Sequence, residues 1–111
     1  MTTPVIDLAT FTELQDNTGA DFVLELVDTF AEEGPTMLAE LRAAWTAGED
    51  DRWRRAAHSL KTNALSFGAL RLGECARTLE LGALPTDAAP LAALDAGWAE
   101  AIAALQALAR G

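Results

Sequence analysis

Several residue types are scarce in this chain, and each shortage excludes a class of function. A single cysteine cannot close an internal disulfide, and a single histidine beside it leaves no Cys/His set for a structural zinc. Tyrosine is absent and β-branched residues thin out after Val27, which starves a sheet. Basic residues are few: 8 Lys+Arg against 17 Asp+Glu give a net charge of −9, and a chain with a pI near 4.3 repels a polyphosphate backbone. Nucleic acid is excluded as a natural ligand. No apolar run approaches the roughly 20 residues of a membrane span. Met1-Thr2-Thr3-Pro4 has neither the basic nor the apolar region of a signal peptide. The expectation is a cytoplasmic protein with no membrane contact.

What remains is a helical composition. The 111 residues, at 11.7 kDa, make one domain over 1–111, too short for a second core. Half of them are apolar, with alanine and leucine abundant, so the fold class is all-α. Apolar residues recur at threes and fours over five stretches: about 6–15, 21–46, 51–67, 70–81 and 87–110. Asp16-Asn17-Thr18-Gly19 ends the first. In the second, Phe22, Leu26, Phe30, Met37, Leu38, Leu41 and Trp45 form the stripe, and Gly34-Pro35 predicts a kink, not a reversal, because the stripe resumes in phase. Gly48 and Gly68 end the second and third helices, and Pro90 fits the first turn of the last. Leu72, Cys75, Ala76 and Leu79 face inward on the fourth. Short connections favour antiparallel neighbours, which predicts an up-and-down four-helix bundle with the short first helix capping one end.

The third helix carries the chemistry. At about 100° per residue, Trp53, Ala56, Ala57, Leu60, Ala64 and Phe67 share one face, and His58 lies about 160° from Leu60, towards water. Lys61, the only lysine, stands one turn beyond the only histidine. Six of the eight basic residues (Arg52, Arg54, Arg55, Lys61, Arg71, Arg77) fall between 52 and 77 with one acid, Glu74, so a positive island is expected around His58. Leu65 lies on the exposed side two turns on, as part of a docking surface.

An exposed histidine with no second acid, base or metal ligand lacks the converging groups that hydrolysis needs. A neutral imidazole can instead attack a phosphoryl group delivered by a partner, and an unperturbed one, with a pKa of about 6.5, is mostly neutral near pH 7. A Lys61 ammonium would stabilise the resulting dianion by about 1 kcal/mol in open solvent and about 4 in a closed interface.

His58-Ser59-Leu60-Lys61, followed by Gly68-Ala69, Leu72, Cys75, Leu79 and Glu80, resembles the signature of histidine-containing phosphotransfer (HPt) domains. That signature is His-x-Leu-Lys-Gly with a Gly-Ala pair ten residues after the histidine. The resemblance extends upstream through Phe22 to Pro35 and the turn from Ala43 to Asp51. It implies that His58 is the phosphorylated nucleophile and Lys61 the phosphoryl-stabilising residue. Leu60, Ala64, Phe67, Leu72 and Leu79 would form the core, and Gly68 would be the glycine that ends the active-site helix. Thr62 departs from the pattern, standing where the family has glycine. The implied function is that of a phosphorelay intermediate in two-component signal transduction, a phosphocarrier and not a kinase. Its expected partners are receiver domains of response regulators and a hybrid sensor histidine kinase. No intrinsic cofactor is implied, the Mg2+ coming from the receiver. Arg54, Arg55, Thr62, Leu65 and Gly68 are the expected partner-binding positions, and a monomer, which leaves the His58 face free, is the expected state. The alternative is a helical scaffold module that binds a signalling partner without phosphate chemistry.

Overall fold

The computed structural model describes residues 3–111. It contains α1 (Leu8–Thr18), α2 (Ala20–Ala47), α3 (Asp50–Ser66), α4 (Leu70–Leu81) and α5 (Ala89–Ala109), with no strand among the described residues. Helix α2 packs on α3 and α5, α4 packs on α3 and α5, and α1 lies against α2.

Glycines in the left-handed region set two of the connections. Gly48 (φ 68°) closes α2 by donating its N–H to the carbonyls of Ala44 and Trp45. Gly68 (φ 80°) turns the chain from α3 into α4. Helix α3 opens with Asp50 and Asp51 in its first turn, where carboxylates meet the positive end of the helix dipole. Helix α5 opens with Pro90 beside its start, and Asp87 accepts the free N–H of Ala89 at 2.9 Å. Helix α1 runs past the expected end at 15, through Asp16-Asn17-Thr18. Thr18 folds its hydroxyl back onto the Leu14 carbonyl at 2.7 Å, and the stop is Gly19 (φ 92°).

Helix α2 continues through Gly34-Pro35 without reversal, but its buried stripe is rotated from the expected one. Val23, Val27, Phe30, Gly34, Leu41 and Ala44 face the core, whereas Phe22 is 50 % exposed and Leu26, Met37, Leu38 and Trp45 are half-buried at the rim. Large rings supplied by other helices explain the difference. Trp98 of α5 lies against Gly34 and meets Phe30 edge-on, while Phe67 stacks on the other side of Phe30 at 4.9 Å between centroids. Small residues therefore face the centre where those rings need room. Trp53, Ala57, Leu60, Ala64 and Phe67 are buried as the α3 wheel predicts, with Ala56 half-covered. On α4, Leu72 and Ala76 are buried and Cys75 and Leu79 are half-buried. Burial pushes the Cys75 thiol above its ordinary pKa, so it stays protonated. Helix α5 is long and apolar enough to cross a membrane by length and composition alone. Leu91, Leu94, Ala101, Leu105 and Ala109 nevertheless bury one stripe of it against the other helices.

Candidate functional site

The site lies where the exposed side of α3 meets α4. Two contacts fix how these helices align. Leu65 covers Gly73, where any Cβ would overlap the leucine side chain, and His58 meets Glu80, so α3 and α4 run antiparallel in a single register. The indole N–H of fully buried Trp53 fastens the other end, donating to the Leu79 carbonyl at 3.1 Å. The residue after that carbonyl is Glu80.

Glu80 is the centre of the arrangement. Its Oε1 lies 2.6 Å from Nδ1 of His58, and its Oε2 lies 2.7 Å from Nζ of Lys61. Its side chain is only 18 % exposed, and Oε2 is shut off from water, with the ammonium as its partner. The Lys61 ammonium first, and then His58, hold the Glu80 carboxyl below the usual carboxylate range against an opposing effect of burial. Glu80 is therefore ionised at neutral pH and can only accept. The proton in the short contact must then sit on Nδ1 of His58. In a neutral imidazole that leaves the lone pair on Nε2, at the far side of the ring. With its side chain 60 % exposed, His58 presents that lone pair to solvent.

A family model described as "Hpt domain" matches residues 25–108, more than two thirds of the chain. The chain belongs to the Hpt domain family. The crystal structure of histidine-containing phosphotransfer protein B (HptB) from Pseudomonas aeruginosa PAO1 is similar at 27 % identity and a TM-score of 0.75, over 98 % of this chain and 94 % of that one. No curated protein matches. The role of this Hpt domain is histidine phosphotransfer in a two-component phosphorelay. Hpt domains are phosphocarriers and not kinases, and they interact with receiver domains and kinases.

The remaining expected site residues of the Hpt domain fall into different settings. Lys61 lies beside His58 as its spacing requires, but its ammonium is spent on Glu80. Arg54 is turned back along α3 to Asp50 at 2.6 Å, and Arg52 grips Glu40 of α2 with two hydrogen bonds of 3.0 and 2.6 Å. The Arg52 guanidinium holds the Glu40 carboxyl below its ordinary range, and Glu40 in turn raises the pKa of Arg52. Arg71 pairs with Glu100 at 2.8 Å. The expected positive island is therefore largely neutralised by acids that lie outside the 52–77 window in sequence and beside it in space. Arg55 and Arg77 make no ion pair among the described residues.

Thr62 is exposed one turn beyond His58 and accepts the Ser66 hydroxyl on its backbone carbonyl at 2.8 Å. Leu65 is 36 % exposed, its inner side spent on Gly73. Gly68 is a correction to the expected partner surface: it is buried, its carbonyl accepts the Asp7 N–H at 2.7 Å, and a Cβ there would stand 2.7 Å from the Asp7 carbonyl. The segment leading into α1 covers it, held further by Arg71, whose Nε donates to the Thr3 carbonyl at 2.8 Å. Gly68 shapes the α3–α4 turn from beneath. Glu80 is the partner of His58 and Lys61 that spacing within α3 could not reveal. Its sequence distance from His58 becomes contact only through the register of two helices.

Proposed function

We propose that His58 is the residue through which this Hpt domain carries phosphate, taking it from a receiver aspartate and passing it to another receiver. The observation that supports this most strongly is the Glu80 contact, which fixes the Nδ1–H tautomer and leaves Nε2 nucleophilic and exposed. The Nε2 lone pair attacks phosphorus and forms the N–P bond. The bond from phosphorus to the acyl oxygen breaks, and the aspartate leaves as its carboxylate. Positive charge that develops on the ring is met at Nδ1–H by the Glu80 carboxylate, as an orienting acid meets an imidazolium. The return transfer reverses these steps. Lys61 acts first through Glu80, keeping it ionised and in place.

The scaffold for this role is an antiparallel up-and-down four-helix bundle of α2 to α5, with α1 across one end, and residues 1–111 serve as one unit. The mutual packing of α2 with α3, α3 with α4, α4 with α5 and α5 with α2 supports that architecture. The Mg2+ of the reaction is assigned, in this proposal, to the receiver. Receiver domains and a hybrid sensor kinase are the partners, met by a monomer.

Incubation with a phosphorylated receiver and Mg2+ tests the proposal. Acid-labile label should appear on the wild type and be absent from His58→Gln. Label that persists on the variant would refute the assignment, and receiver binding with no label on either protein would favour the scaffold role.

A further inference from the structure

We propose that Arg55, and not Lys61, is the cation that meets the phosphoryl group once it is bonded to Nε2 of His58. This rests on the reading of His58 as the phosphorylated residue. Around α3, Lys61 and Arg54 lie about 60° and 40° to one side of His58, and Arg55 and Thr62 lie about 60° and 40° to the other. The first side faces α4. There the imidazole is tied through Nδ1 to Glu80 Oε1, and Lys61 is tied at 2.7 Å to Glu80 Oε2. In an imidazole ring the two nitrogens point away from each other, so the group that bonds at Nε2 is carried away from the α4 side and from the ammonium held there.

The second side faces α2. Arg55 is one turn before His58, a spacing that sets the two Cβ atoms about 5–6 Å apart. It is the only one of the four basic residues of α3 with no ion pair among the described residues: Arg52 is on Glu40, Arg54 on Asp50 and Lys61 on Glu80. Arg55 is close enough to Glu40 to lower its pKa through space, which sets it on the α2 side, yet both Glu40 oxygens are already taken by Arg52. The guanidinium is thus left with free donors, and a guanidinium offers the forked geometry that a phosphoryl group accepts. Arg77 of α4 is also without an ion pair, but the register that sets His58 opposite Glu80 and Leu65 opposite Gly73 puts it level with Lys61, on the Nδ1 side.

The test needs no receiver. Phosphoramidate, a small phosphoryl donor that releases ammonia as the N–P bond to histidine forms, is used to load the full chain. The 31P resonance of the product is then titrated in the wild type and in Arg55→Gln, Arg55→Lys, Lys61→Gln and Arg77→Gln. A cation about 5 Å from the phosphoryl group in water lowers its pKa by about half a unit. Arg55→Gln should therefore raise the titration midpoint by about half a unit and Arg55→Lys should restore most of it, whereas Lys61→Gln and Arg77→Gln should each move it clearly less, by about a quarter of a unit for a cation roughly 11 Å away. A larger shift in Lys61→Gln or Arg77→Gln than in Arg55→Gln, or none in Arg55→Gln, overturns the assignment of Arg55 alone. Phosphate found on Nδ1 overturns the assignment of Arg55 while leaving His58 as the carrier, and phosphate on no histidine overturns both.

Discussion

Replacing Trp53 with phenylalanine isolates the contact that sets the end of α4 at the height of His58. Two losses add. The Leu79 carbonyl lies in the last turn of α4, where no backbone N–H serves it, since the Gly82 N–H reaches only Thr78. Its partner is the Trp53 indole N–H at 3.1 Å, and leaving a partly buried carbonyl unserved costs about 1–2 kcal/mol. The smaller ring also vacates roughly 40 Å³ in a site with no solvent exposure, which at the usual cavity cost adds about 1 kcal/mol. The sum is about 2–3 kcal/mol, or roughly 8–13 °C in Tm for a chain of this size. Thermal and urea unfolding followed by far-UV circular dichroism measures it. Trp45→Phe is the control, because that indole is only half-buried and donates to the Pro85 carbonyl in a loop. It should lose less than half as much. A loss below about 1 kcal/mol in Trp53→Phe, or an equal loss in both variants, would refute the reasoning.

Gly34→Ala and Gly73→Ala make the same chemical change in two helices, with different expected outcomes. A Cβ at Gly34 overlaps the ring of Trp98, which is boxed in by Phe30, so overpacking should outweigh the gain of about 1 kcal/mol in helix propensity and leave a net loss of about 1–2 kcal/mol in urea unfolding. A Cβ at Gly73 meets the half-exposed Leu65 side chain, which can swing outward, so stability should change by less than about 1 kcal/mol. Glu80→Gln substitutes a carboxamide that can donate to Nδ1 and so releases the fixed tautomer. Transfer from a phosphorylated receiver should slow roughly tenfold to a hundredfold with an unchanged circular dichroism spectrum, and an unchanged rate would remove Glu80 from the mechanism. Because its folded-state pKa lies below the ordinary value of 4.5, Glu80 adds stability that is fully present above that value. That contribution is lost as pH falls from 4.5 through the lowered pKa, so unfolding curves of wild type and Glu80→Gln should converge over that descent. Phe22→Ser removes a ring that is 50 % exposed at the edge of α2 and should cost under about 1 kcal/mol; a larger loss would show that the ring is packed.

The exposed placement of His58 and the buried face of α3 were legible in the sequence because they depend on the period of one helix. Leu60, Ala64 and Trp53 bury as the wheel requires, and Lys61 follows His58 by one turn wherever α3 sits. The glycine stops at Gly48 and Gly68 were legible for a similarly local reason, since both take the left-handed conformation that glycine alone adopts freely. What depends on a second helix was not legible. The stripe of α2 is turned because Trp98 and Phe67 arrive from elsewhere. Asp50 neutralises Arg54 within α3 itself, but the rest of the positive island dissolves because Glu40, Glu80 and Glu100 are brought to it by other helices. Glu80 appears in the sequence as part of a family resemblance, and only the register of α3 against α4 sets it beside His58 and Lys61. The cover over Gly68 was not legible because it is supplied by the segment before α1, far from it in sequence.

The protonation of the His58 ring tests the central claim most directly. In the isolated protein with 15N-labelled histidine, at a pH where the ring is neutral, Nδ1 should show the signature of a protonated ring nitrogen and Nε2 that of a bare lone pair, and Glu80→Gln should collapse the preference. A wild-type ring protonated on Nε2 would mean that the nitrogen facing solvent has no electron pair to offer, and the account of this site would be wrong.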